Sequence, residues 1–322
     1  MVAAERDLRA AGTGAGERDA SHEFALEVAQ RGEQLGFATT LIAERWLGPD
    51  LSAWMLAAAM AAETSAIELM VAVHPGIVAP QQAAKFAASL DRISGGRAAV
   101  NIVNGWWEEE FALFGNGASQ ADEDERYRRM DEYLRVMRGI WSGETVPFEG
   151  EFYRTNGEVL PLRCVQTGGP RIYAGTRHAP GMRIVAEQGD CWFVNYEPDF
   201  RKAAQNIEMV ARDIATMRAH AARLGRCIDF GMSCHVICAP AQEEAEAQAL
   251  ALERHGASDR ISFIAAKALG PGLVGTPAQI AARIRAYEKA GVGTLMMHFH
   301  PMLEGMEFFA REVMPLVETV DA

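Results

Sequence analysis

The chain has 322 residues, 49% of them hydrophobic, and sets 31 Lys and Arg against 43 Asp and Glu for a formal net charge of −12. That much apolar material supplies one large core, and a single domain is the expectation. The basic residues are scattered along helices, which excludes the patch or stripe that a nucleic-acid backbone requires, and no apolar run approaches the roughly 20 residues that cross a bilayer.

The N-terminus, MVAAERDLRA, is charged where a signal peptide is apolar, so a cytoplasmic location is expected. The cysteines Cys164, Cys191, Cys227, Cys234 and Cys238 are odd in number and form no CxxC pair backed by a second pair or a His cluster. They read as reduced and mostly buried, with no metal site.

Residues 1–20, without apolar period, read as a flexible tail, and 21–322 as the folded domain. Ser21 is placed to cap a helix that stops at Gly36, and Thr39 to Ala43 has the short β-branched character of a buried parallel strand. The unit recurs: helix from Ser52 to Thr64, strand from Ile67 to Val73, helix from Gln81 to Ile93, strand from Ala98 to Val103. Arg126 to Trp141 places Tyr127, Met130, Leu134, Met137 and Trp141 on one helical face. A hairpin over Val146 to Leu160 interrupts the alternation.

Strand Ile172 to Ala174, helix Gly181 to Glu187, strand Trp192 to Asn195, a long helix from Asp199 to Leu224 and strand Phe230 to Ile237 follow. A further helix, an irregular stretch from Ser258 to Gly272 that reads as a mobile lid, a helix opened by Thr276-Pro277, strand Thr294 to Phe299 and a terminal helix complete the chain. Alternation of this kind predicts βαβ units and a TIM-type (β/α)8 barrel. The strands number one fewer than eight, and the first is the one lacking: either the true start lies upstream or the barrel opens at that seam. The upstream start is preferred because an unpaired inner strand edge invites aggregation.

Five segments carry a family likeness: AVNIVNGWWEEEFALFG, DERYRRMDEYLRVMRGIW, FEGEFYR, PRIYAGTRHAPGMRIVAEQGD and GTPAQIAARIRAYEKAGVGTLMMHFHP. In this order, within a match from about Ser21 to Leu316, they resemble the bacterial-luciferase-like flavin-dependent monooxygenases, in particular the dimethylsulfone and alkanesulfonate enzymes and the pyrimidine monooxygenases. The resemblance implies a TIM-type barrel, reduced FMN delivered by a separate NAD(P)H-dependent flavin reductase, O2 as co-substrate, a small organosulfur compound as substrate, and assembly as a homodimer or homotetramer.

Barrels of this type build their site at the C-terminal strand ends, where Glu44, Arg45, His74, Asn101, Asn104, Trp106, Gly175 to Arg177, Asn195, His235, His298 and His300 fall. Asn101 matches a flavin contact of the pyrimidine enzymes and otherwise reads as a strand-end cap. Glu110 matches a second such contact, with the acidic first turn of a helix as the alternative. Arg126 and Tyr127 match the family's Arg-Tyr pair, a fixed charge at a helix start suited to the FMN phosphate; the alternative is a surface pair of Arg126 with Asp122 or Asp124. Gly175, Thr176 and Arg177, at a strand-to-helix turn, suit the same phosphate.

His235 matches a His of the alkanesulfonate enzymes and suits proton transfer, against the reading of a satisfied core residue. Their Arg two residues earlier is Ser233 here, and their final Tyr is His300. Loss of that Arg argues for a neutral substrate unless Arg45 or His74 stands in. Trp106 and Trp107 resemble an aromatic pair that walls a small pocket, or pack a loop. His298 and His300 share one strand face as substrate-pocket residues, with no carboxylate at metal spacing. Two other activities fit the same residues: opening of a pyrimidine or amide ring, for which a matching Thr is absent at Ala72, and flavin or deazaflavin binding without oxygenation.

Overall fold

The computed structural model describes residues 21–48, 50–105, 107–115, 118, 122–145, 147–256, 266–299 and 301–317. The expected tail, 1–20, lies outside them, as do Trp106, His300 and the first part of the lid stretch.

Helix α1 (His22–Gln34) starts where expected, the Ser21 hydroxyl accepting a 3.2 Å hydrogen bond from the Phe24 N–H. The repeating units follow: β1 (Thr39–Ile42), α2 (Ala53–Glu63), β2 (Glu68–Val73), α3 (Pro80–Ser94) and β3 (Ala98–Ile102). A short helix α4 (Glu108–Phe114) and the long α5 (Glu123–Ser142) precede a small antiparallel hairpin, β4 (Phe148–Glu149) and β5 (Arg154–Thr155). Then come β6 (Arg171–Gly175), α6 (Ala179–Gln188), β7 (Cys191–Phe193), α7 (Ala203–Arg223), β8 (Asp229–Cys238) and α8 (Gln242–Gly256). The chain ends with β9 (Val274–Gly275), α9 (Pro277–Ala290), β10 (Thr294–Phe299) and α10 (Met302–Glu312).

Seven parallel strands run in the order β1-β2-β3-β6-β7-β8-β10, and β9 adds a short parallel pairing to the end of β8. Outward side chains such as Ile42, Val71, Val100, Ile172 and Phe230 pack under the helices in the main core. Inward ones, Leu41, Met70, Ala72, Ala99, Tyr173, Cys191 and Met296, fill the barrel. Among the described residues no ladder joins β10 to β1, the seam where the strand count falls short of eight; the rings of Phe37 and Phe299, 5.9 Å apart, pack there instead.

Between residues 193 and 203 the expected boundaries move. The strand predicted to reach Asn195 ends at Phe193, and the helix predicted from Asp199 begins as a 3-10 turn, Phe200–Lys202, capped by the Asp199 side chain, with α-helix only from Ala203. A carboxylate accepting its own i+2 N–H favours the tighter turn.

Polar side chains fasten the units together. The guanidinium of Arg97 donates to the carbonyls of Ala61, Thr64, Ile67 and Ser94, fixing the end of α2 against β3. Asp91 of α3 accepts from the backbone N–H groups of Val165 and Gln166 ahead of β6. Glu132 of α5 accepts from those of Phe152 and Tyr153 in the hairpin. At the N-terminal end of the barrel, Glu68 accepts from Tyr173 Oη at 2.9 Å and Thr39 Oγ1 at 3.0 Å, and Arg171 pairs with Asp229, closing that end with polar groups.

Candidate active site at the barrel mouth

Side chains alternate along a strand, so the parity that points Met70, Ala72 and Ala99 into the barrel also points Asn101 inward, and His74 one residue past β2. On β8, Phe230, Met232, Cys234 and Val236 face the helices, which turns Gly231, Ser233 and His235 toward the axis. His298 stands beside His235 in register on β10, and their rings meet edge to face with centroids 5.1 Å apart. Asn101 is in register with Tyr173 on β6, two residues before Gly175. The mouth therefore gathers Asn101, Gly175, Ser233, His235 and His298 from adjoining strands, with His74 beside them.

His74 is fully buried, and burial alone pushes its pKa down to about 4, so it is a neutral imidazole at physiological pH. Its Nδ1 has no hydrogen-bond partner among the described residues, an unsatisfied polar atom at the level where a ligand would sit. His235 is wholly inaccessible, its backbone N–H donating to the Ala268 carbonyl at 2.7 Å.

A second cluster forms where α5 and α6 begin. Tyr127 Oη and Thr176 Oγ1 share a 2.9 Å hydrogen bond, Thr176 Oγ1 also accepts from the His178 N–H, and the Thr176 carbonyl accepts from Trp192 Nε1 at 3.0 Å. Glu123 is 2.9 Å from His178 Nε2 and 3.6 Å from Arg126 Nη2. Of the predicted set, Tyr127 and Thr176 are thus brought into contact, with Arg126, Gly175 and Arg177 as their chain neighbours, just ahead of a helix whose first turn has no side-chain cap. Arg126 pairs with Glu123, and no ion pair with the Asp122 or Asp124 weighed from sequence forms among the described residues.

Glu110 and Arg45 occupy a different position. Glu110, 2% exposed, accepts from the Leu47 N–H at 3.3 Å, and burial raises its pKa. Arg45 forms a buried pair with Asp50, Nε to Oδ2 2.8 Å. Together they pin the loop after β1, so the Arg45 charge is already matched by a carboxylate. Glu44 points outward to the start of α2, accepting from the Ala53 N–H at 3.0 Å, and burial pushes its pKa up to about 7.

Two residues of this region were not singled out from sequence. Asn206 of α7, 1% exposed, donates to the carbonyls of Glu197 and Gly270 and accepts from the Glu197 N–H. Its signal was a polar residue on the apolar Ala203, Val210, Ile214 face of an amphipathic helix. Lys267 lies half-buried within the stretch expected to be a lid, where burial lowers its pKa. The described part of that stretch, 266–272, is not loose as a lid would be: besides the Asn206 and His235 bonds, Tyr287 Oη donates to the Pro271 carbonyl at 3.1 Å. Buried acceptors in that segment found partners on α7, β8 and α9, which the irregular sequence did not reveal.

A parallel-strand barrel with polar groups converging at the C-terminal strand ends, and an anion-type cluster at one βα turn, is the architecture of a TIM-barrel enzyme. The chain belongs to the luciferase-like monooxygenase family, whose sequence profile matches residues 7–294. It is 29% identical over 291 residues to an FMNH2-dependent dimethylsulfone monooxygenase of Pseudomonas putida, covering 82% of this chain and 77% of that protein. The identity is 30% over 292 residues to the protein of the same name from Pseudomonas fluorescens strain Pf0-1, with the same coverage. In fold it is similar to the EDTA monooxygenase of Chelativorans sp. BNC1, with a TM-score of 0.79 at 18% identity over 98% of this chain and 91% of that one. No helix among the described residues is long and apolar enough to cross a membrane.

Proposed function

We propose that this chain is an FMNH2-dependent monooxygenase that takes its reduced flavin from a separate NAD(P)H-dependent reductase and uses O2 to oxidise a small, neutral organosulfur compound. The observation that carries this reading is the Tyr127–Thr176 hydroxyl pair ahead of α6, with Arg126 and Arg177 as its neighbours in the chain, on a barrel whose strands turn Asn101, His74, His235 and His298 inward. The donors suit a phosphate monoester and the inward amide and imidazoles suit a flat heteroaromatic ring, so the residues fit FMN.

In this arrangement Arg126, Tyr127, Gly175, Thr176 and Arg177 hold the phosphate, and Asn101 orients the ring. His74, neutral and with a free Nδ1, accepts or donates one hydrogen bond without adding charge. The reduced flavin supplies the electrons that activate O2. His235 and His298 control the proton that must be delivered to or taken from the reacting oxygen, and burial around them keeps bulk water out. Glu110 acts through the loop it pins and not by touching the flavin. Trp106 and His300 keep the catalytic and substrate-pocket places expected of them from the sequence. With Arg45 matched by Asp50 and Ser233 in place of an arginine, a sulfonate finds no dedicated cation on this side, which favours a neutral sulfone.

Self-association as a homodimer or homotetramer would use the face of α2, which carries no charge before Glu63 and exposes Met55 at 65% beside Leu51 and Phe86. Two chains of net charge −12 approach each other most easily through a charge-free surface.

The test is anaerobic titration with oxidised and reduced FMN, followed by admission of 18O2 with dimethylsulfone or uracil. Preference for the reduced form and label in a dimethylsulfone product support the reading. Label in a uracil product, or reoxidation of FMNH2 unaffected by the protein, removes it.

A further inference from the structure

Phe193 ends β7 with its side chain inside the barrel, packed on the inward cluster that contains Met70, Ala99 and Tyr173. Its neighbours in register are both glycines, Gly175 on β6 and Gly231 on β8. The ring leans toward β8. A Cβ on Gly231 would fall 2.6 Å from Phe193 Cε1 and 2.8 Å from Cδ1, whereas one on Gly175 would meet nothing nearer than the Phe193 Cβ at 3.5 Å. Glycine at 231 is therefore what lets an aromatic ring lie across this part of the barrel. From the N-terminal side the ring is backed by Tyr173, stacked on it with centroids 5.6 Å and planes 27° apart, and Tyr173 is itself fixed by its 2.9 Å hydrogen bond to Glu68.

Accessibility changes at this ring. Cys191, two residues earlier on the same face, is wholly inaccessible, as are Met70 and Ala99, and Tyr173 is buried. Phe193 is part-exposed, as are the inward residues Asn101, Val103 and Ser233, and Gly175 is exposed. Among the described residues the open interior of the barrel therefore begins at the Phe193 ring, on the side that Gly175 leaves free. Its floor is apolar, formed by the ring and Val103, and its walls carry the Asn101 amide and the Ser233 hydroxyl; none of these side chains is charged. Such a surface suits a small neutral molecule with a hydrogen-bonding group and short alkyl substituents. A substituent directed at the ring meets a side chain that Tyr173 blocks from below and the β8 backbone blocks at its edge. We propose that Phe193 is the specificity-determining residue of the site, its ring setting how long an alkyl group the substrate can carry toward the barrel floor. This rests on the organosulfur reading above and narrows the substrate class to sulfones with methyl-sized substituents.

Competition between dimethylsulfone and diethylsulfone, with the full chain supplied with FMNH2 and O2, gives the ratio of their kcat/KM values for the native protein, Phe193→Leu and Phe193→Ala. The ratio is expected to shift toward diethylsulfone by about tenfold or more in Phe193→Ala, the scale on which a hydrophobic pocket discriminates one methylene, with Phe193→Leu in between. A ring that only supports the fold would change both rates together, so an unchanged ratio in the two variants overturns the proposal. Thiol labelling reads the same surface without turnover. In Phe193→Cys the introduced thiol should react with methyl methanethiosulfonate while Cys191 stays unmodified, as peptide mass spectrometry resolves. An introduced thiol as inert as Cys191 overturns the proposal even in an active enzyme. Should the native chain oxidise neither sulfone, the organosulfur reading fails by itself, and the labelling then decides the place of Phe193: reaction of the introduced thiol supports the ring as the floor of the open site, and inertness overturns it.

Discussion

Gly181, in the first turn of α6, is the point at which packing and the phosphate cluster are most tightly coupled. A Cβ added there would fall against the Tyr127 ring edge, 2.5 Å from Thr176 Oγ1 and 3.0 Å from Thr176 Cβ. Neither neighbour can give way easily: both side chains are buried, they are bonded to each other, and the Thr176 carbonyl is held by Trp192. Relief requires α6 to lift or the Tyr127–Thr176 bond to break. Overpacking of this kind costs about 1–3 kcal/mol, and the better helix propensity of alanine returns at most about 1 kcal/mol. Gly181→Ala is therefore expected to lower stability by about 1–2 kcal/mol, a fall in Tm of at least 2 °C on the scale of about 2–4 °C per kcal/mol for mid-sized domains. FMN affinity falls with it, because the hydroxyl pair and the first N–H groups of α6 no longer share one geometry. Differential scanning calorimetry and FMN titration read the two effects. A Gly181→Ala protein with native Tm and native FMN affinity would show that the cluster is not packed as described.

Other expectations follow from the buried polar groups. His74 has a folded pKa of about 4 against 6.5 unfolded, so the unfolded chain takes up a proton first and stability is lost as pH falls from 6.5 toward 4, by roughly 3 kcal/mol in full. Urea unfolding across that window should show a smaller slope in His74→Phe. Glu44 works in the opposite sense: its folded pKa of about 7 lies above 4.5, so the folded state keeps a proton the unfolded state has lost, and stability falls as pH rises from 4.5 through 7. Glu44→Gln retains acceptors for Ala53 and Ser52 and should be more stable than the native chain at pH 8, which equilibrium unfolding measures. Asn206→Leu leaves two carbonyls and one N–H without their partner and should cost about 2–4 kcal/mol, with faster hydrogen exchange at Gly270 than elsewhere in the core; uniform exchange would place the anchor of that segment elsewhere.

Much of the barrel was legible along the chain because its causes are local. Ser21, the Thr276-Pro277 pair and the apolar runs from Thr39, Ile67, Ala98 and Phe230 act within a few residues, and caps, φ restrictions and strand-type burial depend on little else. Strand parity also carried Asn101, His235 and His298 to the mouth, since a residue two positions from an inward one is inward too.

What a side chain does once there depends on partners that sequence distance hides. Glu110 holds the N–H of Leu47, 63 positions earlier, and Tyr127 finds Thr176 49 positions on. Arg45 read as a free cation until Asp50 folded back onto it. The stretch before Gly272 read as loose because it has no period, yet within its described residues, 266–272, the carbonyls of Ala268, Gly270 and Pro271 are held from β8, α7 and α9, elements far apart in the chain. The kinds of donor and charge available were set by the sequence; which were already matched, and which were left for a ligand, was decided by the tertiary structure, because an ion pair or buried hydrogen bond forms through space at 3 Å and not along the chain.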